Sequence, residues 1–211
     1  DGRQLAMISA GDSNDPSAGR LLVAPADGGP LRDVLPALAG DVAAFVWQDA
    51  ATLMFLADEG EESRFAEVDL ESGAVKTHAS STGSGALRAP ILSGLSLAAD
   101  GQRAALIGDA PAHPAEVFVM GHGDPAPRRL SDSNPWLAAV ELAPQEVFAY
   151  AARDGLDLGG VLLRPLGAGG VPAPLILMVH GGPEAHRSNG WLSSYGAPAQ
   201  IAAARGYAVY F

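Results

Sequence analysis

Three stretches of this chain share one pattern, a polar turn followed by an apolar strand. DGRQLAMISA (1–10), DAATLMFLAD (49–58) and DGQRAALIGD (100–109) each open on a turn and continue as alternating or unbroken apolar residues. Alternation with period two marks a half-buried strand, and a short unbroken apolar run suits a strand covered on both faces. A second element recurs between them. GRLLVAPADGGPLRDVL (19–35), SRFAEVDLESGAVKTH (63–78) and AEVFVMGHGDPAPRRL (115–130) each read as strand, tight turn and strand. Asp27-Gly28-Gly29, Glu71-Ser72-Gly73 and Gly121-His122-Gly123-Asp124 supply the turn chemistry. The unit recurs at about fifty residues with roughly four short strands, the spacing of a β-propeller blade. No unit carries a helix-period stretch, which excludes helical solenoids. The expectation for residues 1–132 is about two and a half blades, too few to close a ring. A β-sandwich with coincidental spacing is the alternative.

The pattern changes at SDSNPWLAAVELAPQ (131–145), whose Ser131-Asp132-Ser133-Asn134-Pro135 cluster reads as a boundary loop. EVFAYAA and LDLGGVLLRP, joined by Arg153-Asp154-Gly155, predict a hairpin. LILMVH (175–180) is a continuous apolar run, as expected of a parallel strand buried on both faces. APAQIAAARG (197–206) predicts a short helix stopped at Gly206, and YAVYF (207–211) a further strand inside the same sheet. Strand, glycine loop, helix and strand in that order predict a βαβ crossover over the second unit, residues 133–211.

Composition narrows the function classes. The 211 residues are 48% hydrophobic, enough for a sizeable core. A formal net charge of −11 argues against nucleic acid and against anionic membrane surfaces. The absence of Cys excludes disulfides, thiolate metal sites and a Cys nucleophile. No apolar run approaches the ~18 residues of a membrane span. Asp58-Glu59-Gly60-Glu61-Glu62 reads as a solvated loop rather than a metal site, lacking the alternation of a cation loop. His78, His113 and His122 stand singly near turns and read as surface histidines.

Several segments together resemble the prolyl oligopeptidase family of serine peptidases, and within it the acylaminoacyl peptidase-like branch. RRLSDSNPWL (128–137) is similar to that family's exit from its last blade, and ARDGLDLGGVLLRP (152–165) to its first hydrolase hairpin. PLILMVHGGP (174–183) followed by ARGYAVYF (204–211) is similar to its third and fourth hydrolase strands. The resemblance implies the C-terminal blades of a β-propeller followed by the N-terminal part of an α/β-hydrolase domain. It implies a Ser-Asp-His triad acting on short peptides, with no metal and no organic cofactor.

Acyl transfer places negative charge on a carbonyl oxygen, and preorganised N–H donors stabilise it. In α/β-hydrolases one donor comes from the glycine loop after a buried strand. The family pattern assigns that donor to Gly182, with Gly181 allowing the bend and close approach. Pro183 lacks an N–H and stiffens the exit. A plain strand-to-helix glycine turn is the alternative. His180 fits a scaffolding role at the strand end rather than that of general base, because the base follows the nucleophile in chain order in these hydrolases. His186 lies in the following loop, and the sequence leaves open whether it faces solvent or the cleft. The GxSxG elbow does not occur. Gly94-Leu95-Ser96-Leu97-Ala98 precedes a turn rather than a helix, and Leu192 stands where Ser194-Tyr195-Gly196 would need its first glycine.

The expectation is thus a segment of a larger serine peptidase, inactive alone, whose nucleophile, acid and base lie beyond this chain. Its partners are a short peptide substrate and the remainder of its own hydrolase domain, with a homo-oligomer of the full-length protein left open. An esterase and a non-catalytic propeller binding module are the other readings. Cytoplasmic placement is expected, with secretion or a periplasmic location left open because Asp1 is not an initiator Met. The isolated segment is expected to aggregate or to be partly disordered, with YAVYF offering an exposed edge.

Overall fold

The computed structural model describes residues 2–13, 17–82, 89–167, 169–170, 172–182 and 185–211. The first half builds three antiparallel sheets in succession. The first contains β1 (Gln4–Ala10), β2 (Gly19–Pro25) and β3 (Arg32–Asp33). The second contains β4 (Asp41–Trp47), β5 (Thr52–Glu59), β6 (Glu62–Asp69) and β7 (Val75–Ser80). The third contains β8 (Ile91–Leu97), β9 (Arg103–Ala110), β10 (His113–Gly121) and β11 (Arg128–Arg129). The recurrent turn-and-strand stretches are β1, β5 and β9, and each pairs in the same way with the strand that follows it. Successive neighbours joined by tight turns give blade-like, up-and-down sheets. The β6–β7 turn shows how the sequence fixes them. Gly73 takes φ 72°, its N–H donates to Asp69 O at 2.9 Å, and the Asp69 carboxylate accepts from Ser72 N–H.

Packing between sheets explains the hydrophobic pattern. β5 lies in the middle sheet and is buried on both faces. Leu53, Phe55 and Ala57 join Leu21, Val23 and Val68 on the side of the first sheet. Met54 and Leu56 join Leu106, Phe118 and Met120 on the side of the third. The unbroken run TLMFLA follows from being sandwiched. β9 has one covered face, so Ala104 and Leu106 are buried while Ala105 and Ile107 face out.

Two histidines depart from the expected surface role, and one of them, His113, is half-buried and packs on the Phe118 ring, centroids 6.0 Å apart. His78 is largely covered, hydrogen-bonds Glu67 at 2.8 Å and packs on the Phe65 ring, centroids 5.3 Å apart. The strand alternation carries it onto a packed face. His122 is exposed, as expected.

The third sheet hands over to the second half through a buried carboxylate. Glu116 on β10 accepts from the Ser131 hydroxyl, from Ser133 N–H at 2.7 Å and from Arg129 at 3.1 Å, and its side chain exposes no surface. The Ser131 hydroxyl first, then the Ser133 donors and Arg129, hold its pKa down to about 2. A short 3-10 turn, Pro135–Ala139, follows.

The next strands are β12 (Gln145–Val147), β13 (Tyr150–Ala151), β14 (Asp157–Leu158) and β15 (Val161–Leu163). They form one hairpin in constant register, β12 on β15 and β13 on β14, closed at Gly155 with φ 89°. Then come β16 (Leu175–Leu177), α1 (Ala199–Ala204) and β17 (Ala208–Tyr210). The sheet order is β12-β15-β17-β16, with β16 and β17 parallel and α1 between them in the chain. Gly206, φ 88°, ends α1 in the left-handed conformation that glycine adopts without penalty.

Two expectations for this sheet are corrected. β16 is an edge strand covered on one face: Ile176 and Met178 pack toward Val209 and Leu163, while Leu175 and Leu177 stay 60% exposed. Its second face meets no other element among the described residues. YAVYF is not the open edge, because β17 lies between β15 and β16 and hydrogen-bonds both.

Candidate active site

The chain leaves the carboxyl end of β16 through Met178, whose N–H donates to Tyr210 O at 2.8 Å, and enters the glycine loop. His180, Gly181 and Gly182 are all exposed. The His180 Nδ1–H donates to the Gly181 carbonyl at 3.2 Å, a bond to its own neighbour that braces the loop. A side chain at Gly181 would meet nothing within 4 Å, and Gly181 lies outside the left-handed region. Glycine here therefore leaves open space in front of the backbone rather than relieving strain. Pro183 lies outside the described residues.

Neither serine weighed from the sequence meets a histidine among the described residues. Ser96 is an exposed residue of β8, and Ser194 accepts from Ala197 N–H in a local turn. Ser188 pairs with His186 Nε2 at 2.8 Å, but this is an exposed contact between residues two apart, with no described ion pair from His186 to a carboxylate. Among the described residues no group of three or more His, Cys, Asp and Glu is placed to hold a metal.

The loop does not hang free. After the glycines it descends onto the blade-like sheets. Asn189 N–H donates to Glu61 O at 2.6 Å, and its side-chain amide donates to Glu62 at 3.3 Å. Trp191 N–H donates to Asp109 Oδ1 at 2.6 Å. Gln145 of β12 donates to Asn189 Oδ1 at 3.0 Å and to Gly190 O at 2.8 Å. Glu61 and Glu62 are thus half-buried seam residues, which corrects their reading as part of a solvated loop. A turn sequence shows its charge but not the surface that docks on it.

Electrostatics follow from that docking. Burial pushes the Asp109 carboxyl up, opposed by the Trp191 N–H and by His113. Burial also pushes Asp58 up, opposed by His186 and reinforced by Asp41. A cavity of about 230 Å³ lies under the loop, bounded by Asp58, Asp109, His186, Arg187 and Trp191. A wider groove of about 780 Å³ runs from Ser9 past Asp41 and Asp58 to His186. His186, left open by the sequence, therefore lines both spaces. The arrangement presents exposed backbone at the end of a parallel strand, and the same loop, from residue 185 on, borders an acidic cleft against the blades.

No protein-family model matches the chain. Over 88 aligned residues it is 39% identical to dipeptidyl aminopeptidase BIII of Pseudoxanthomonas mexicana, covering 38% of this chain and 12% of that protein. Over 102 residues it is 28% identical to the uncharacterized peptidase YuxL of Bacillus subtilis, covering 48% of this chain and 15% of that protein. In structure it matches the acylaminoacyl peptidase of Pyrococcus horikoshii with a TM-score of 0.74 at 19% identity, over 100% of this chain and 30% of that one. These relatives and neighbours are peptidases, an acylaminoacyl peptidase and a dipeptidyl aminopeptidase among them, as the resemblance implied. The chain spans only a minor part of each.

Proposed function

We propose that this chain is a segment of a serine peptidase in which residues 133–211 form the N-terminal part of an α/β-hydrolase domain. The Gly182 N–H, with Gly181 keeping the approach open, is one donor to the oxyanion of a tetrahedral intermediate. A Ser-Asp-His triad from residues outside these 211 completes the site, and short peptides or acyl-peptides are its substrates. The observation that carries this reading is the open backbone of His180–Gly182 at the carboxyl end of parallel β16, where α/β sheets bind their ligands. The docking of the same loop onto the blade-like sheets supports a site between the two halves. His180 braces the loop through the Gly181 carbonyl.

The test uses the full-length protein. It should react with a fluorophosphonate probe and cleave aminoacyl- or N-acetyl-aminoacyl-anilides. Turnover of nitrophenyl esters with no cleavage of any anilide would place the protein among esterases. Failure to label or to cleave any of them would make it a binding module.

A further inference from the structure

We infer that Asn189 is a positioning residue, the point by which the blade-like sheets hold the His180–Gly182 loop in register. The inference rests on the reading of that loop as an oxyanion site. Asn189 is 3% exposed, although it lies in a loop otherwise rich in exposed residues. Its backbone N–H, side-chain N–H and side-chain oxygen all carry hydrogen bonds, to Glu61, Glu62 and Gln145. The next two residues are clamped as well. A Cβ on Gly190 would overlap Asp109 Oδ1 and come within 3.2 Å of Ile91, so any other residue would have to displace the Asp109 carboxylate. Trp191 N–H then donates to that Asp109 oxygen. Three structural elements, the β5–β6 turn, β9 and β12, thus grip a three-residue segment close behind the glycines.

The chemistry selects asparagine. The position needs a donor toward Glu62 and an acceptor toward Gln145 on one short side chain. Aspartate has the same shape, but when ionised it offers no donor and sets a second anion beside Glu62. The titratable and charged groups facing the segment include Glu61 from the β5–β6 turn, Glu62 from β6, Asp58 from β5 and Asp109 from β9. Arg129 from β11, His113 from β10, and His186 and Arg187 of the loop complete the set among the described residues. They are common to wild type and variants, so variant-to-wild-type ratios remove their titration. A loop displaced by the order of an ångström loses catalytic geometry more than substrate affinity.

The test compares Asn189→Asp and Asn189→Ala with wild type in the full-length protein, by anilide kinetics and amide hydrogen exchange. At about pH 8 both variants are expected to lose about tenfold or more in kcat with KM within about threefold. Backbone amides of the loop, residues 180–191, should exchange faster. As pH falls toward about 5.5, the Asn189→Asp ratio to wild type should recover in kcat and in protection, while Asn189→Ala stays low. Unchanged exchange in both variants, a loss confined to KM, or an Asn189→Asp deficit that ignores pH would overturn the inference. If wild type hydrolyses nothing, the oxyanion reading fails, and exchange still decides whether Asn189 holds the loop.

Discussion

At the scale of single residues, the clearest physical statement concerns Glu116. Its carboxylate is held at about 2 by the Ser131 hydroxyl, the Ser133 donors and Arg129. The folded value lies below the ordinary 4.5, so the stabilisation is fully present above pH 4.5 and is lost as pH falls toward about 2. Glu116→Gln should lower the urea midpoint at neutral pH and flatten its fall in that acid window. Parallel acid limbs for variant and wild type would show that Glu116 does not drive the loss. Sequence gave no hint of this cluster, because Ser131 and Ser133 read only as loop formers. Their partner lies on β10, and the contact exists only once β10 and β11 have paired.

At the scale of elements, burial decides which substitutions matter. Phe55 on β5 is fully buried in the core between the first and second sheets. Phe55→Ala should cost about 3–5 kcal/mol, read as a drop in the denaturation midpoint. Leu177→Ser on the uncovered face of β16 should change the stability of this 211-residue chain by less than about 0.5 kcal/mol. A comparable loss at both positions would contradict the assigned faces. The repeat, the hairpin and the βαβ order were legible because each rests on local signals: turn glycines, alternation and a helix stop. The faces of β16 were not. LILMVH has the composition of a strand covered twice, but among the described residues only Ile176 and Met178 of it join the core of this half. A strand's own residues do not say whether its second cover is present.

At the scale of the whole molecule, the two halves meet through a loop set among carboxylates. Asp58 and Asp109 are both raised by burial above 3.8. Their contribution to docking is fully present below 3.8 and is lost as pH rises through their folded values. Protection of residues 185–192 against hydrogen exchange should therefore weaken with rising pH. Asp109→Asn keeps an acceptor for Trp191 N–H and should shrink that dependence, whereas an unaltered dependence would exclude Asp109 as its source. The glycine loop was legible in the sequence as a loop leaving an apolar strand, from His180-Gly181-Gly182 behind LILMVH. Its anchorage was not, because Glu61, Asp109 and Gln145 are brought to Asn189 and Trp191 only by the packing of the two halves.

The most direct measurement on the proposed chemistry is the anilide kinetics of full-length Gly182→Pro, which deletes one backbone N–H. If that N–H meets the oxyanion, kcat falls by about 10²–10³-fold with KM within about threefold and the melting midpoint retained. A kcat close to wild type in the folded variant would contradict an oxyanion role for this loop.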